Sequence, residues 1–310
     1  NFDYFYESRT DILTQYLTRP QWVGVVMAAG NLGKTKNQGV ELELKHNNRI
    51  GKDFYYNVGF TFSHARNEIL DMDEPDAKTG YRKQEGHPIN QYFGLICDGF
   101  VTQADLDNPN FPKSTYGNVQ VGDLKYRDMN GDGFIDDRDE TFIGYSDIPE
   151  NTYALTLGAQ WKGIGFSVMF QGVDHVSRFY DAEAMFAFVN GGKVKEHHLG
   201  RWNPAMSEEY NLANATYPLL HYDSYGNHNQ RQNSFFLKNG AFLRLKNIEL
   251  SYSLPQSWIK KAAMKECRIY VNASNLVTWD HLGGLTDPES NGSNRYPIMK
   301  TVNFGVNIQF

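Results

Sequence analysis

An all-β, antiparallel fold whose strands are long enough to cross a bilayer is predicted by three features of this 310-residue sequence. Apolar side chains recur at every second position, most alternating runs are about ten residues long, and the connections between runs are very unequal. The clearest alternation closes the chain, where Phe304, Val306, Ile308 and Phe310 fall on one face and Asn303, Gly305, Asn307 and Gln309 on the other. Lys162–Gly163 leaves room only for a minimal turn and Asn48–Asp53 for a short one. The stretches 102–151, 174–240 and 279–298 are long and rich in Gly, Asn, Asp and Pro. Short turns at one end and long loops at the other describe a transmembrane barrel. Alternation alone also fits a soluble β-sandwich.

Strands are expected near 2–13, 37–47, 54–66, 90–101, 152–161, 164–173, 241–253, 267–278 and 299–310. In the second, Val40, Leu42 and Leu44 oppose Glu41, Glu43 and Lys45. In the third, Tyr56, Val58, Phe60 and Phe62 oppose Tyr55, Asn57, Gly59, Thr61 and Ser63. Tyr153, Leu155, Leu157, Ala159 and Trp161 share a face, as do Ile269, Val271 and Ala273 against Arg268, Tyr270 and Asn272. Within 241–253 the apolar phase slips from Leu243 and Leu245 to Ile248, Leu250 and Tyr252, which predicts a β-bulge near Asn247. Strand parity adds a constraint. If the C-terminus and both short turns lie on one side, the expected strands leave one crossing too few or one too many. Either Val119–Arg127 is a further crossing, or 90–101 is only a hairpin within a loop. Helix is scarce: Ala182–Gly191, Val194–Trp202 and a turn or two beginning with Pro255 are the candidates.

Composition narrows the function classes. With 30 Lys+Arg against 36 Asp+Glu and a net charge of −6, the chain lacks the basic balance of a nucleic-acid binder. Mean hydropathy is −0.56 and no apolar run reaches about 18 residues, so no transmembrane helix is expected. A barrel is compatible with that average, because lipid-facing and lumen-facing residues alternate. Cys97 and Cys267 have no metal-site or disulfide-framework spacing, and pairing or freedom both stay open. The chain opens on Asn1 inside a strand-like run without a leader sequence, so a preceding portion is expected.

The sharpest chemical signal is Asp128-Met-Asn130-Gly-Asp132-Gly133-Phe134-Ile-Asp136-Asp-Arg-Asp139, which has the spacing of a calcium-binding loop. Hard oxygen donors alternate along it, Gly133 permits the sharp turn, and Phe134 would contribute its backbone carbonyl. The expected ligands are Asp128, Asn130, Asp132, Phe134, Asp136 and Asp139, the last standing where a longer Glu is usual. No helix pair flanks the loop, so a structural staple for a long loop is expected rather than a sensor. An acidic turn without metal is the alternative. Gly30-Asn-Leu-Gly33-Lys34-Thr35 mimics part of a phosphate loop, but Ala28 occupies the first glycine position and no helix follows. Glu196-His197-His198 lacks the histidine spacing of a metalloprotease helix. No ordered Ser, His and Asp set suggests a nucleophile, so no catalytic residues are expected. Trp161 and Trp279 sit at strand ends, where barrels place aromatic girdles. Tyr180, Phe186, Phe188, Tyr217, Tyr222 and Tyr225 lie in 174–240 and would either stack on sugar rings or, more simply, pack the loop.

Four segments in order carry a family resemblance. Asn31-Leu-Gly33-Lys-Thr-Lys-Asn37-Gln-Gly39-Val-Glu41-Leu resembles a strand opening of TonB-dependent transporters. Gly122-Asp-Leu-Lys-Tyr-Arg-Asp128-Met-Asn130-Gly-Asp132-Gly, ending in Ile143-Gly144, resembles a loop signature of their SusC/RagA subfamily. Phe242-Leu-Arg244-Leu-Lys-Asn247-Ile-Glu-Leu-Ser-Tyr252-Ser-Leu-Pro255 is similar to a strand of that subfamily. Asn275-Leu-Val-Thr278-Trp, Asp287-Pro-Glu289, Tyr296-Pro297 and the terminal Phe310 complete the run. The resemblance implies the C-terminal strands of a large barrel of about 22 strands, in the outer membrane of a Gram-negative cell, with residues 1–310 lacking the N-terminal plug and the earlier strands. It further implies import of glycans (oligosaccharides) or oligopeptides driven through TonB, with a SusD-like surface lipoprotein as partner. The rivals are a secreted all-β carbohydrate-binding or hydrolase module with a calcium loop, and a small passive porin complete in itself.

Overall fold

The computed structural model describes all residues except 17, 19–27, 76–78, 181, 223–227 and 291–295. Eight strands form one antiparallel sheet in which each pairs with its neighbours in the chain: β1 Phe2–Thr14, β2 Gly30–Ile50, β3 Phe54–Asp71, β4 Asn151–Trp161, β5 Ile164–Asp174, β6 Phe242–Ser253, β7 Glu266–Asp280 and β8 Thr301–Gln309. Register converts the sequence alternation into two continuous faces, because directly opposed residues of an antiparallel pair point the same way. One row runs Val58, Leu157, Val168, Ile248, Ala273 and Val302. The next runs Tyr56, Ala159, Phe166, Leu250, Val271 and Phe304. On the other face Asn57, Gly158, Ser167, Glu249, Asn272 and Asn303 stand in line.

The sheet is therefore apolar on one side and polar on the other. Its apolar side is not covered: Val302, Phe304, Val306 and Ile308 are all exposed, with Phe304 at 83%. A water-soluble sandwich would bury that side against a second sheet. Trp161 and Trp279 lie on this side at opposite ends of the sheet, each about half exposed, which is the placement of interfacial girdles. On the polar side the Tyr270 ring lies over Gly305, where any side chain would collide with it at 2.3 Å. The bulge falls where expected. Pairing of β6 with β7 skips between Leu245 and Asn247, and Asn275 opposite it adopts a left-handed backbone at φ 57°.

Three expectations need correction. Neither 90–101 nor Val119–Arg127 crosses the sheet. Gln91–Gly94 pairs with Thr141–Ser146, and Cys97–Phe100 pairs with Leu124–Tyr126, in small two-stranded ribbons. Everything between β3 and β4 is thus one long connection, and the second parity solution is the right one. The sequence misled here because a loop ribbon alternates like a crossing strand while being shorter. The second correction is length: β2 and β3 extend well past the alternating windows, since polar pairs such as Lys36 with Glu68 continue the ladder beyond the apolar band. Pro255 caps the helical turn Gln256–Ile259 rather than beginning it.

With this topology the short turns 51–53 and Lys162–Gly163, the β6–β7 connection and the C-terminus share one end. The long connections share the other, and there they build their own core. Leu95, Leu124, Tyr126, Ile135, Met185, Phe186, Tyr217, Phe236 and Leu282, drawn from three different connections, pack together and are buried. A loop this long stays ordered only by burying apolar surface of its own, each large side chain contributing about 1.5–3 kcal/mol.

Candidate functional site

The long connections gather at one end of the sheet, where 281–290 reaches Arg244 and Ile89 reaches Asn67 on the polar face, so the sites to weigh lie in that loop body and at its junction with the strands. The acidic loop 128–139 is folded by its own carboxylates. Asp128 accepts the amides of Gly131 at 2.6 Å and Gly133 at 2.8 Å, and Asn130 and Asp132 accept those of Asp132 and Phe134 at 2.8 and 3.0 Å. Gly131 and Gly133 take φ of 74° and 80°, a region that side chains rarely adopt. Ile135 is buried in the loop core and fixes the turn to it.

Asp139 is fully buried and clamps the loop, its two oxygens accepting the Met129 and Asp136 amides at 2.9 Å each. The Arg138 guanidinium lies against Asp132 and Asp136, 2.7 Å from each. Hydrogen bonding from Arg138 holds the Asp136 carboxyl below the usual range. All six expected ligands therefore fall in one turn, and their donors are hard oxygens of the kind calcium takes. The oxygens of Asp128 and Asp139 each accept one backbone amide, whereas both oxygens of Asp136 and one of Asp132 are also engaged by Arg138. Among the described residues no set of three or more His, Cys, Asp or Glu side chains converges as a cage, and Arg138 provides the local positive charge.

Of the loop aromatics, Tyr180, Phe186 and Tyr217 are buried and pack the loop; burial pushes the Tyr180 hydroxyl up to about 12. Phe188 and Tyr222 form an outward pair with ring centroids 5.4 Å apart, Tyr222 being 89% exposed. Tyr225 lies outside the described residues. His197 and His198 are structural: both reach the Met185 carbonyl, at 3.1 and 2.9 Å. Nδ1 of His198 accepts the Lys195 amide, so Nε2 carries the proton, and burial lowers its pKa. Gly30–Thr35 lies in β2, with Lys34 paired to Asp71, and holds no phosphate loop. Cys97 and Cys267 are both free, and burial raises the Cys97 thiol to about 11.

Sequence reasoning missed three polar sites. Arg244 on the polar face of β6 is 1% exposed and grips Asp287 through bonds of 2.7 and 2.8 Å, with Glu289 3.0 Å away and shared by Lys246. That network folds 281–290 back over the strand. Buried Asp123 joins His221 at 2.5 Å and Asn229 at 2.8 Å, tying two long connections together. The third is a cleft beside Ile69 that contains Arg82. Strand periodicity offered a signal only for Arg244, a charge at an inward position; the other two depend on contacts far apart in sequence.

A family model described as TonB dependent receptor-like, beta-barrel matches residues 1–276. TonB-dependent receptor P3 of Formosa agariphila is 25% identical, the match covering 100% of this chain and 32% of that protein. TonB-dependent receptor SusC of Bacteroides thetaiotaomicron is 25% identical over 90% of this chain and 27% of its own length. A solved structure of the RagAB peptide transporter superposes with a TM-score of 0.70 at 24% identity, covering 100% of this chain and 33% of that one. The chain thus spans about a third of the length of the relatives it matches.

Proposed function

Because the chain belongs to the TonB-dependent receptor-like β-barrel family, whose SusC and RagA relatives are outer-membrane proteins, we propose that it supplies the C-terminal strands and outer loops of a nutrient importer. In this reading the remainder of the barrel and the plug come from further chain, energy arrives through TonB, and a SusD-like surface lipoprotein covers the loop body. The cargo is a glycan or an oligopeptide. One observation carries the proposal: rows of apolar residues run across β3 to β8 on one side of an eight-stranded antiparallel sheet and polar rows on the other, and described residues of the connections after β3, β5 and β7 pack into one core at the long-loop end. An inward polar face lines a path, and loops at its mouth meet whatever enters. The relatives' names describe receptors and a transporter, and we assign no residue of this chain to a chemical step.

Uptake of labelled oligosaccharides and oligopeptides by cells that depend on the parent protein tests the reading. Energy-dependent uptake that disappears when the parent gene is deleted, and returns with it, is the expected result. Cargo turnover by purified parent protein, abolished by changing one acidic or serine residue, would replace import with catalysis.

The 128–139 loop is proposed to hold one calcium ion as a structural staple. Asp128, Asn130, Asp132, Asp136 and Asp139 would supply side-chain oxygens and Phe134 its carbonyl, with Arg138 displaced from Asp132. Bound there, the ion would neutralise carboxylates that otherwise repel each other. Extracellular sites of this kind bind at roughly 10⁻⁴–10⁻³ M.

A further inference from the structure

A cleft with a volume of about 420 Å³ opens at the long-loop end of the polar face, between the end of β3 and the segment that follows it. Its walls include Ile69, Phe93 and Phe142, which are apolar, and Arg82, Gln84 and Asn90, which are not. That size lies within the range of small-ligand pockets.

Arg82 is unusual in its bonding. Its Nε is sealed from solvent without a partner, and among the described residues its side chain has neither an ion pair nor a hydrogen bond. Arg178, Arg231 and Arg244 also bury an unpartnered Nε, but each reaches an acceptor through a terminal nitrogen. The nearby carboxylates are already engaged, Asp136 by Arg138 and Glu140 by Arg231. The Arg82 guanidinium instead lies 5.9 Å from the centre of the Phe93 ring. The side-chain amides of Gln84 and Asn90 make no hydrogen bond among the described residues either. The guanidinium is half-buried, Asp136 and Glu140 lie near enough to feel its charge, and its N–H groups have no protein acceptor among the described residues, which leaves it able to take a further anion.

We propose that this cleft is a subsite for a ligand carrying one carboxylate on a partly apolar body. The carboxylate would take the two-pronged face of the Arg82 guanidinium, a geometry that planar fork suits. Gln84 and Asn90 would bond the adjoining polar atoms. Phe93, Phe142 and Ile69 would receive the apolar part, either a hydrophobic side chain or the C–H face of a sugar ring. A single positive charge matches a carboxylate better than a doubly charged phosphate. Two sources share this chemistry, the free C-terminus of a peptide and a uronic-acid sugar. The subsite rests on the import reading only in taking its ligand to be cargo.

The test is calorimetric binding to the full parent protein in detergent, using two matched pairs of probes. One pair is a short apolar peptide with a free C-terminus and the same peptide amidated. The other is a uronic-acid oligosaccharide and its carboxyl-reduced form. In at least one pair the acid should bind on the order of tenfold or more tighter than its neutral twin, as expected for a charge-assisted bond. The responding pair identifies the source. Arg82→Gln should abolish the preference, and Arg82→Lys should keep part of it in a barrel that still assembles. No preference in either pair, or a preference that survives Arg82→Gln, overturns the subsite. Because binding is read without energised uptake, that failure leaves import standing. Loss of uptake with the acid preference intact would instead count against import.

Discussion

At Asp132 and Arg138 two ways of neutralising the same turn compete. Arg138 already bridges Asp132 and Asp136, and Asp139 closes the turn through backbone amides alone. If calcium completes the loop, Asp132→Ala should raise amide exchange around 120–145 in calcium while leaving the strands unchanged. Chelator should do the same to the wild type. Exchange indifferent to chelator and to added calcium would assign the turn to Arg138 and Asp139. His198 gives a pH prediction. Burial lowers its pKa from 6.5, so the folded loop holds it neutral while the unfolded loop protonates near that value. A depressed histidine pKa stabilises above the unfolded pKa, and that stability is lost as pH falls below it. Protonation would also set an N–H on Nδ1 against the Lys195 amide, which donates there. Amide exchange in 185–200, corrected for intrinsic rate, should therefore rise between pH 7.5 and 5.5, and His198→Gln should flatten the response. The acidic loop was legible residue by residue because its spacing is local. The neutral role of His198 was not, because its partner Met185 approaches only in the fold.

Strands were the most legible elements, since one period-two pattern sets the inward and outward faces. Loop ribbons alternate too and were over-read, as at 90–101. The final strand allows a direct comparison. Ile308 lies on the apolar face opposite Cys267, while Asn307 lies on the polar face opposite Arg268. Arg at Ile308 should destabilise the assembled barrel by up to about 2–4 kcal/mol if it sits at mid-membrane, less near an interface, and Arg at Asn307 by far less. Urea titration of the refolded parent protein gives both values, and equal losses would mean that the faces are misassigned. On β6 the same face logic marks Arg244 as a charge at an inward position but does not name its partners, which arrive from 281–290. Arg244→Ala leaves Asp287 and Glu289 without their buried cation, a loss of about 3–5 kcal/mol. Lys246→Ala, at a partly exposed site, should cost about 1 kcal/mol or less. Proteolysis within 281–290 should follow that order; equal protection in both variants would remove the network as the anchor of this segment.

Across the whole molecule the sheet does not close on itself. Among the described residues β1 pairs only with β2 and β8 only with β7, so each carries an unpaired edge there. Bilayers do not tolerate such edges, because every exposed amide and carbonyl in hydrocarbon lacks a partner. Eight strands can close into a small barrel, but its interior is just wide enough for side chains. Here the polar face already carries the folded-back 281–290 segment, and the long connections at one end of the sheet share a core of their own. Closing β1 onto β8 would require expelling the first from the interior and straining the connections of the second. Partner strands from further chain solve the edge problem without either change. Residues 1–310 produced alone should therefore neither insert as a heat-resistant barrel nor conduct ions in a planar bilayer. Co-refolding with the remainder of the parent chain should restore the shifted electrophoretic mobility of an assembled barrel. A stable, conducting species from the 310-residue chain alone would show that β1 and β8 can pair, and would favour the small complete porin over a segment of a larger barrel.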